Sequence, residues 1–267
     1  MTGEAVGPLS GSGAVVTGGA SGLGRAIGEA LARAGAGVAL LDRDQAAVEQ
    51  AAAQLASQDM DVIGIACDVS VSGSVDDAMA AAAVRFGGVR AVFANAGISA
   101  GPGPGSGGRS LVDMDEALWD DVIAVNLTGV VRTARAAIPH LIESGSGRLI
   151  LTSSSAALMP TLFVGHAYAA SKAAVLHLTR YLALEHAEQG VLVNCIAPGP
   201  FLTNIASGRL HQPRVATDVA KSVPLGRIAD PSEIGPLAVF LAGADSGYMT
   251  GAVLSIDGGT VAGAWHH

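Results

Sequence analysis

Lysine is almost missing from this chain: only Lys172 and Lys221 occur in 267 residues. Charged residues of all kinds make up 14%, and the balance is acidic, with a formal net charge of −8. With no basic cluster, nucleic acid and anionic membrane surfaces are excluded as partners. Aromatic residues are scarce at 4%, and there are two cysteines, Cys67 and Cys195. Each cysteine ends an apolar strand-like run, so they read as buried free thiols of a cytoplasmic protein rather than as a disulfide. No apolar run reaches membrane-spanning length, and the first residues lack a charged-then-apolar leader pattern.

What is abundant is small or apolar. Half of the residues are hydrophobic and 36 are glycine. That is enough for one large core, so residues 1–267 are expected to form a single α/β domain. Apolar strand-like runs alternate with helical patterns, which predicts a doubly wound parallel sheet of about seven strands. After a loosely held lead-in over 1–13, Ala14–Thr17 reads as a buried strand. Gly18, Ser21, Gly22, Leu23 and Gly24 follow, and then a helical pattern through Ile27 and Leu31. Glycines permit a tight turn there, and the helix N-terminus directs amides and dipole at a pyrophosphate.

A glycine-rich loop alone is weak evidence in so glycine-rich a chain. Its context strengthens it, because a second strand, Val38–Asp42, places an acid about twenty residues on. Asp42 can accept hydrogen bonds from a ribose diol and repel a 2′-phosphate, which favours NAD over NADP. Arg43 beside it pulls the other way. Asp68 and Val69 end the third strand, where the acid either meets an adenine amino group or is an ordinary turn aspartate. Asn95, Ala96 and Gly97 end the fourth. The stretch 101–108, with its glycines and prolines, reads as a flexible loop at the ligand edge. Leu111–Ile138 reads as largely helical, with Asn126 inside it opening a kink or holding a water.

The densest chemistry lies at Tyr168-Ala-Ala-Ser-Lys172. At i and i+4 a phenol and an ammonium share one helix face. With three tyrosines and two lysines in the chain, chance gives that spacing in roughly one such chain in fifty. A nearby ammonium favours the phenolate and so would lower the tyrosine pKa, making a general acid/base for an alcohol oxygen. Upstream, the fifth strand runs into Ser153-Ser154-Ser155, where a hydroxyl could hold a substrate oxygen. Residues 156–167 supply Phe163 as a pocket wall, and 200–225 read as a mobile lid with Phe201 facing substrate. No arginine pair stands out there to grip a phosphate or carboxylate.

Taken together, the loop at 17–24, Asn95-Ala96-Gly97, Asn126, the serine trio, Tyr168-x-x-x-Lys172, Pro198-Gly199 and Asp257-Gly258-Gly259 are similar to the short-chain dehydrogenase/reductase family in its single-domain branch. The resemblance spans roughly residues 10 to 260. It implies hydride exchange between a substrate carbon and NAD, with Tyr168 as acid/base, Lys172 on the nicotinamide ribose and Asn126 holding a linking water. Thr203 would contact the cofactor, and a serine the substrate oxygen. Counting along the fifth strand selects Ser154, whereas counting back from Tyr168 selects Ser155; Ser154 is preferred because the strand fixes its position. The substrate expected is a fairly apolar secondary alcohol or ketone. An NADPH-dependent carbonyl or 3-oxoacyl-thioester reductase is the alternative, and a non-catalytic dinucleotide-binding protein a distant third. The resemblance also implies a homotetramer, or else a dimer. No metal site is expected.

Overall fold

The structure is a computed structural model that describes residues 7–205 and 208–263. The first six residues of the expected lead-in and positions 206–207 of the expected lid lie outside the described residues. Strands and helices alternate: β1 (Gly13–Thr17), α1 (Gly22–Arg33), β2 (Gly37–Asp42), α2 (Gln45–Ala56), β3 (Val62–Ala66), α3 (Ser74–Phe86) and β4 (Ala91–Ala94). Then come α4 (Glu116–Ile123), α5 (Gly129–Glu143), β5 (Arg148–Thr152), α6 (His166–His186), β6 (Leu192–Pro198), α7 (Pro213–Lys221), α8 (Gly235–Ala242) and β7 (Val253–Ile256).

The seven strands form one parallel sheet in the order β3-β2-β1-β4-β5-β6-β7. Short, nearly continuous apolar strands suit a sheet covered on both faces. Alternate side chains go to opposite layers. Val16, Leu40, Phe93, Ile150 and Ile196 pack with Ile27 and Leu31 of α1, Val48 of α2 and Leu241 of α8. Val15, Leu41, Val92, Leu151 and Cys195 pack with Met79 of α3, Ala137 of α5 and Val175 of α6. Both cysteines are free and buried, as expected. The chain order reverses between β1 and β4, and in open α/β sheets ligands bind outside the strand carboxyl ends at such a switch point.

Three elements differ from expectation. The stretch 111–138 is not one helix: a 3-10 turn at Leu111–Asp113 precedes α4, and a π-helical turn at Ala124–Thr128 separates α4 from α5. Asn126 sits in that wide turn, so the kink was expected and its π form was not. The lid contains the regular helix α7, with Pro213 at its first turn and Val215 and Val219 one turn apart. Those were the available signals. The stretch 101–108 is tied down rather than free: Pro102 bridges Val164, Gly103 N–H donates to the Phe163 carbonyl at 3.1 Å, and Gly105 N–H donates to the Leu162 carbonyl at 2.9 Å. Its glycines make that possible, since a Cβ on Gly103 would stand 2.3 Å from two carbonyl oxygens.

Candidate active site

The glycine loop is built by backbone constraints. Gly18 and Gly22 have φ of +68° and +53°, which L side chains rarely adopt. A Cβ on Gly24 would lie 2.0 Å from the Gly18 carbonyl oxygen, so α1 can start this close to the loop only with glycine there. Ser21 caps α1 with an extended backbone and no side-chain cap bond, and Leu23 packs partly into the core. Thr203 lies against the loop, its methyl 3.4 Å from where a Gly22 Cβ would be. A small anion fits this cradle better than any side chain would.

Asp42 ends β2 half-buried and accepts from the Ala20 amide at 3.2 Å, so its carboxylate faces the loop. Arg43 next to it is exposed and makes no ion pair among the described residues. Asp68 commits one carboxylate oxygen to the Ser70 amide and hydroxyl, at 2.8 and 2.6 Å. The Ser70 hydrogen bonds hold its pKa below the usual carboxylate range, with help from the charges of Arg43 and Arg132. That favours the turn role for Asp68. Val69 is buried, meets Gly129, and its carbonyl accepts from Arg132.

Asn95, a candidate cofactor ligand, is also tied into the sheet. Its side-chain amide donates to the Thr17 carbonyl at 3.1 Å, while the Thr17 hydroxyl accepts from the Asn95 and Ala96 amides. The pair clasps the ends of β1 and β4, and Thr17 is the partner that sequence reasoning passed over. Asn126 is likewise committed. It is fully buried, its Oδ1 accepts from the Ile98 amide at 2.8 Å, and its Nδ2 donates to the Ile98 carbonyl at 2.9 Å. Its side chain therefore fixes the loop after β4. Gly97 lies between, since a Cβ there would stand 3.4 Å from both Asn126 Oδ1 and Lys172 Nζ.

Tyr168 and Lys172 rise from the first turns of α6. Lys172 is buried, donates to the Thr152 carbonyl at 2.9 Å, and stands 5.7 Å from the Tyr168 ring centre. Burial lowers its pKa to about 8, with a small opposing influence from Cys195. Burial also raises the Tyr168 pKa, and the Ser154 hydroxyl pulls it back by hydrogen bonding. This corrects the expected sign. In the cleft as it stands, desolvation dominates, with the Lys172 ammonium lying over the ring at 5.7 Å from its centre.

The serine trio divides its work. Ser153 donates to the Lys172 carbonyl at 2.7 Å and so anchors α6. Ser154 accepts from the Ala156 amide at 3.2 Å and is the hydroxyl that acts on Tyr168. Ser155 opens the following 3-10 turn. Ser154, Ser155 and Tyr168 all line a cleft of about 1620 Å³, walled by Met159, Phe163, Val164, Ile205 and Leu210 and floored by Gly199. Pro198 ends β6, and the Gly199 amide donates to the Ile256 carbonyl at 3.0 Å. Phe201 is not a wall of this cleft. It is 4% exposed, packs in the core with Ile234 and bridges Ala229, because the chain turns inward after β6. Two arginines of the lid, Arg209 and Arg214, do line the cleft, against expectation. Among the described residues no helix is long and apolar enough to cross a membrane, and no cluster of three metal-ligating side chains occurs.

A family model described as enoyl-(acyl carrier protein) reductase matches residues 18–261. The chain is 36% identical over 252 residues to the 2,5-dichloro-2,5-cyclohexadiene-1,4-diol dehydrogenase LinX of Sphingobium indicum, covering 94% of this chain and 96% of that one. A short-chain type dehydrogenase/reductase from Mycobacterium marinum superposes with a TM-score of 0.86 at 32% identity, covering 94% and 96% of the two chains. A candidate NAD(P)-dependent gluconate 5-dehydrogenase from Beutenbergia cavernae, with NADP bound at low occupancy, gives 0.85 at 34% identity over 96% and 100%.

Proposed function

The chain belongs to the short-chain dehydrogenase/reductase family of oxidoreductases, and we propose that it interconverts a fairly apolar secondary alcohol and its ketone with NAD as redox partner. The observation that carries this is the meeting of Tyr168 and Ser154 in the lining of a largely apolar cleft. A nicotinamide dinucleotide held by residues 18–24, Asp42 and Thr203 would supply the hydride acceptor or donor. In oxidation the Tyr168 phenol oxygen receives the hydroxyl proton, and in reduction it returns one to the ketone oxygen. Ser154 donates a hydrogen bond to that same oxygen as charge develops on it. Lys172, with a pKa of about 8, can hold or release a proton near neutral pH, and its charge favours the phenolate once formed. Asn126 keeps the loop beside Lys172 in register.

Asp42 supports NAD, as its carboxylate would repel a 2′-phosphate. Exposed Arg43, without an ion pair among the described residues, supports the second reading, an NADPH-dependent reductase, as does the NADP in the Beutenbergia protein. Tyr168 and Lys172 standing together argue against a purely binding role. We further read the protein as cytoplasmic, which suits two free thiols. A tetramer or dimer is supported by exposed apolar side chains on α5 and α6, including Val131 and Leu184. The test is an absorbance assay at NADH's band with NAD and a panel of cyclic and aryl secondary alcohols. Turnover of these, and none of sugars or acyl thioesters, is expected. Turnover of sugars or thioesters alone would overturn the reading.

A further inference from the structure

We propose that the outer wall of the cleft is an anion site, so that the substrate is an apolar ketone or alcohol ending in a carboxylate. The proposal rests on reading this cleft as the place of turnover, and it names the end of the substrate remote from Tyr168. Four charged side chains line the cleft: Arg209, Arg214, Asp218 and Lys221. Asp218 and Lys221 face one another at 3.5 Å on the same helix and cancel. The side chains of Arg209 and Arg214 make no hydrogen bond or ion pair among the described residues, although the Arg209 carbonyl accepts from the Gln212 amide at 3.1 Å. Arg209, in the 3-10 turn Arg209–His211, is half-buried, while Arg214 in α7 is exposed.

The cleft thus carries two uncompensated positive charges, in a protein whose net charge is −8. Two positive side chains there would offset, for an anionic substrate, the repulsion of an acidic molecule. The rest of the wall is largely apolar on both sides, with Met159, Phe163 and Val164 from the stretch before Tyr168 and Leu210, Val215 and Val219 from the lid. The arginines are therefore charges set in an apolar lining. A guanidinium presents a planar fork of donors that fits a carboxylate, and it gains strength where water is excluded. A ligand spanning apolar wall and arginines would place its carboxylate against the lid.

The test uses 4-oxo-4-phenylbutanoate and its methyl ester, which share the reacting ketone and differ at the far end by a carboxylate against a neutral ester. Full-length protein is assayed with NADH and NADPH. The proposal predicts a kcat/KM at least tenfold higher for the acid, and loss of that ratio in an Arg209→Ala/Arg214→Ala variant. The Arg209→Lys/Arg214→Lys variant should restore part of it, and added salt should shrink it. An acid-to-ester ratio near one, or a ratio unchanged in the alanine variant, overturns the proposal while ester turnover leaves the oxidoreductase reading intact. Weakened NADH binding in the alanine variant also overturns it, since the arginines would then serve the cofactor. If neither compound turns over, calorimetric titration of the acid into the NADH complex decides. Arginine-dependent binding upholds the anion wall even as the turnover reading fails, and no such binding sinks both.

Discussion

The two sides of the active cleft are built by different means. On the nucleotide side, β1, α1 and β2 hold Gly18, Gly22, Gly24 and Asp42 by backbone geometry, over side chains such as Val16, Ile27 and Leu40 that are fully buried. On the substrate side, the strap at 101–108 and the lid are held by a few backbone hydrogen bonds, and α7 has no buried residue. Phe163 and Leu162 beside the strap are 61% and 67% exposed. Rigid elements with deep cores resist local opening, whereas segments with few buried contacts open at low free energy. The difference suits the task. A common cofactor suits a fixed cradle, and a wall with few buried contacts is where substrates would be expected to enter and leave.

Mutations should therefore act sharply and selectively on the fixed side and gradually on the other. The largest expected effect lies where both sides meet. Tyr168→Phe should lower kcat about 10³-fold, within the range for losing a general acid/base, with NADH affinity kept; activity within tenfold of wild type would contradict the assignment. Next is Ser154→Ala, with a loss of about 10²-fold in kcat for removal of one oxyanion donor. Ser155→Ala should be milder, and the reverse order would transfer the role to Ser155. Asp42→Ser should shift the NADPH-to-NADH affinity ratio by about tenfold, the worth of one charge-assisted hydrogen bond. Gly105→Ala places a Cβ 2.8 Å from that of Leu162, so the strap must shift. KM should rise by roughly a factor of three to ten with kcat little changed.

The smallest effect is on stability against pH. Lys172 titrates near 8 in the fold against 10.5 ordinarily. Burial penalises its charge, so the unfolded chain binds more protons above pH 8 and stability rises with pH there. Cys195 is pushed the other way, from 9.0 up to about 11, so its contribution is lost as pH rises above 9. Urea midpoints should climb between pH 8 and 9, level off while the two opposite slopes cancel, and fall only above pH 10.5, where Lys172 no longer contributes and Cys195 still does. A Lys172→Met variant should lack the climb; an identical climb in that variant would remove Lys172 as its cause.

Legibility in the sequence followed the same division. The glycine loop, Asp42 and the Tyr168–Lys172 pair were readable because each is set by spacing within one strand–turn–helix unit or one helical turn. The seven parallel strands were readable from short apolar runs. What depends on distant partners was not. Phe201 looked like a pocket wall until Ala229 and Ile234 drew it into the core. The tie of Asn95 to Thr17 joins residues 78 positions apart. The strap's pairing with 162–164 joins residues some sixty positions apart, and no local pattern encodes it. The raised Tyr168 pKa follows from burial, which the i, i+4 spacing does not report.

The most direct test of the fixed nucleotide side is equilibrium titration of the purified protein with NADH and with NADPH. The account predicts that NADH binds at least tenfold more tightly, because Asp42 faces the glycine loop and meets a free ribose diol. Equal or tighter binding of NADPH would contradict it, and would assign that corner to Arg43.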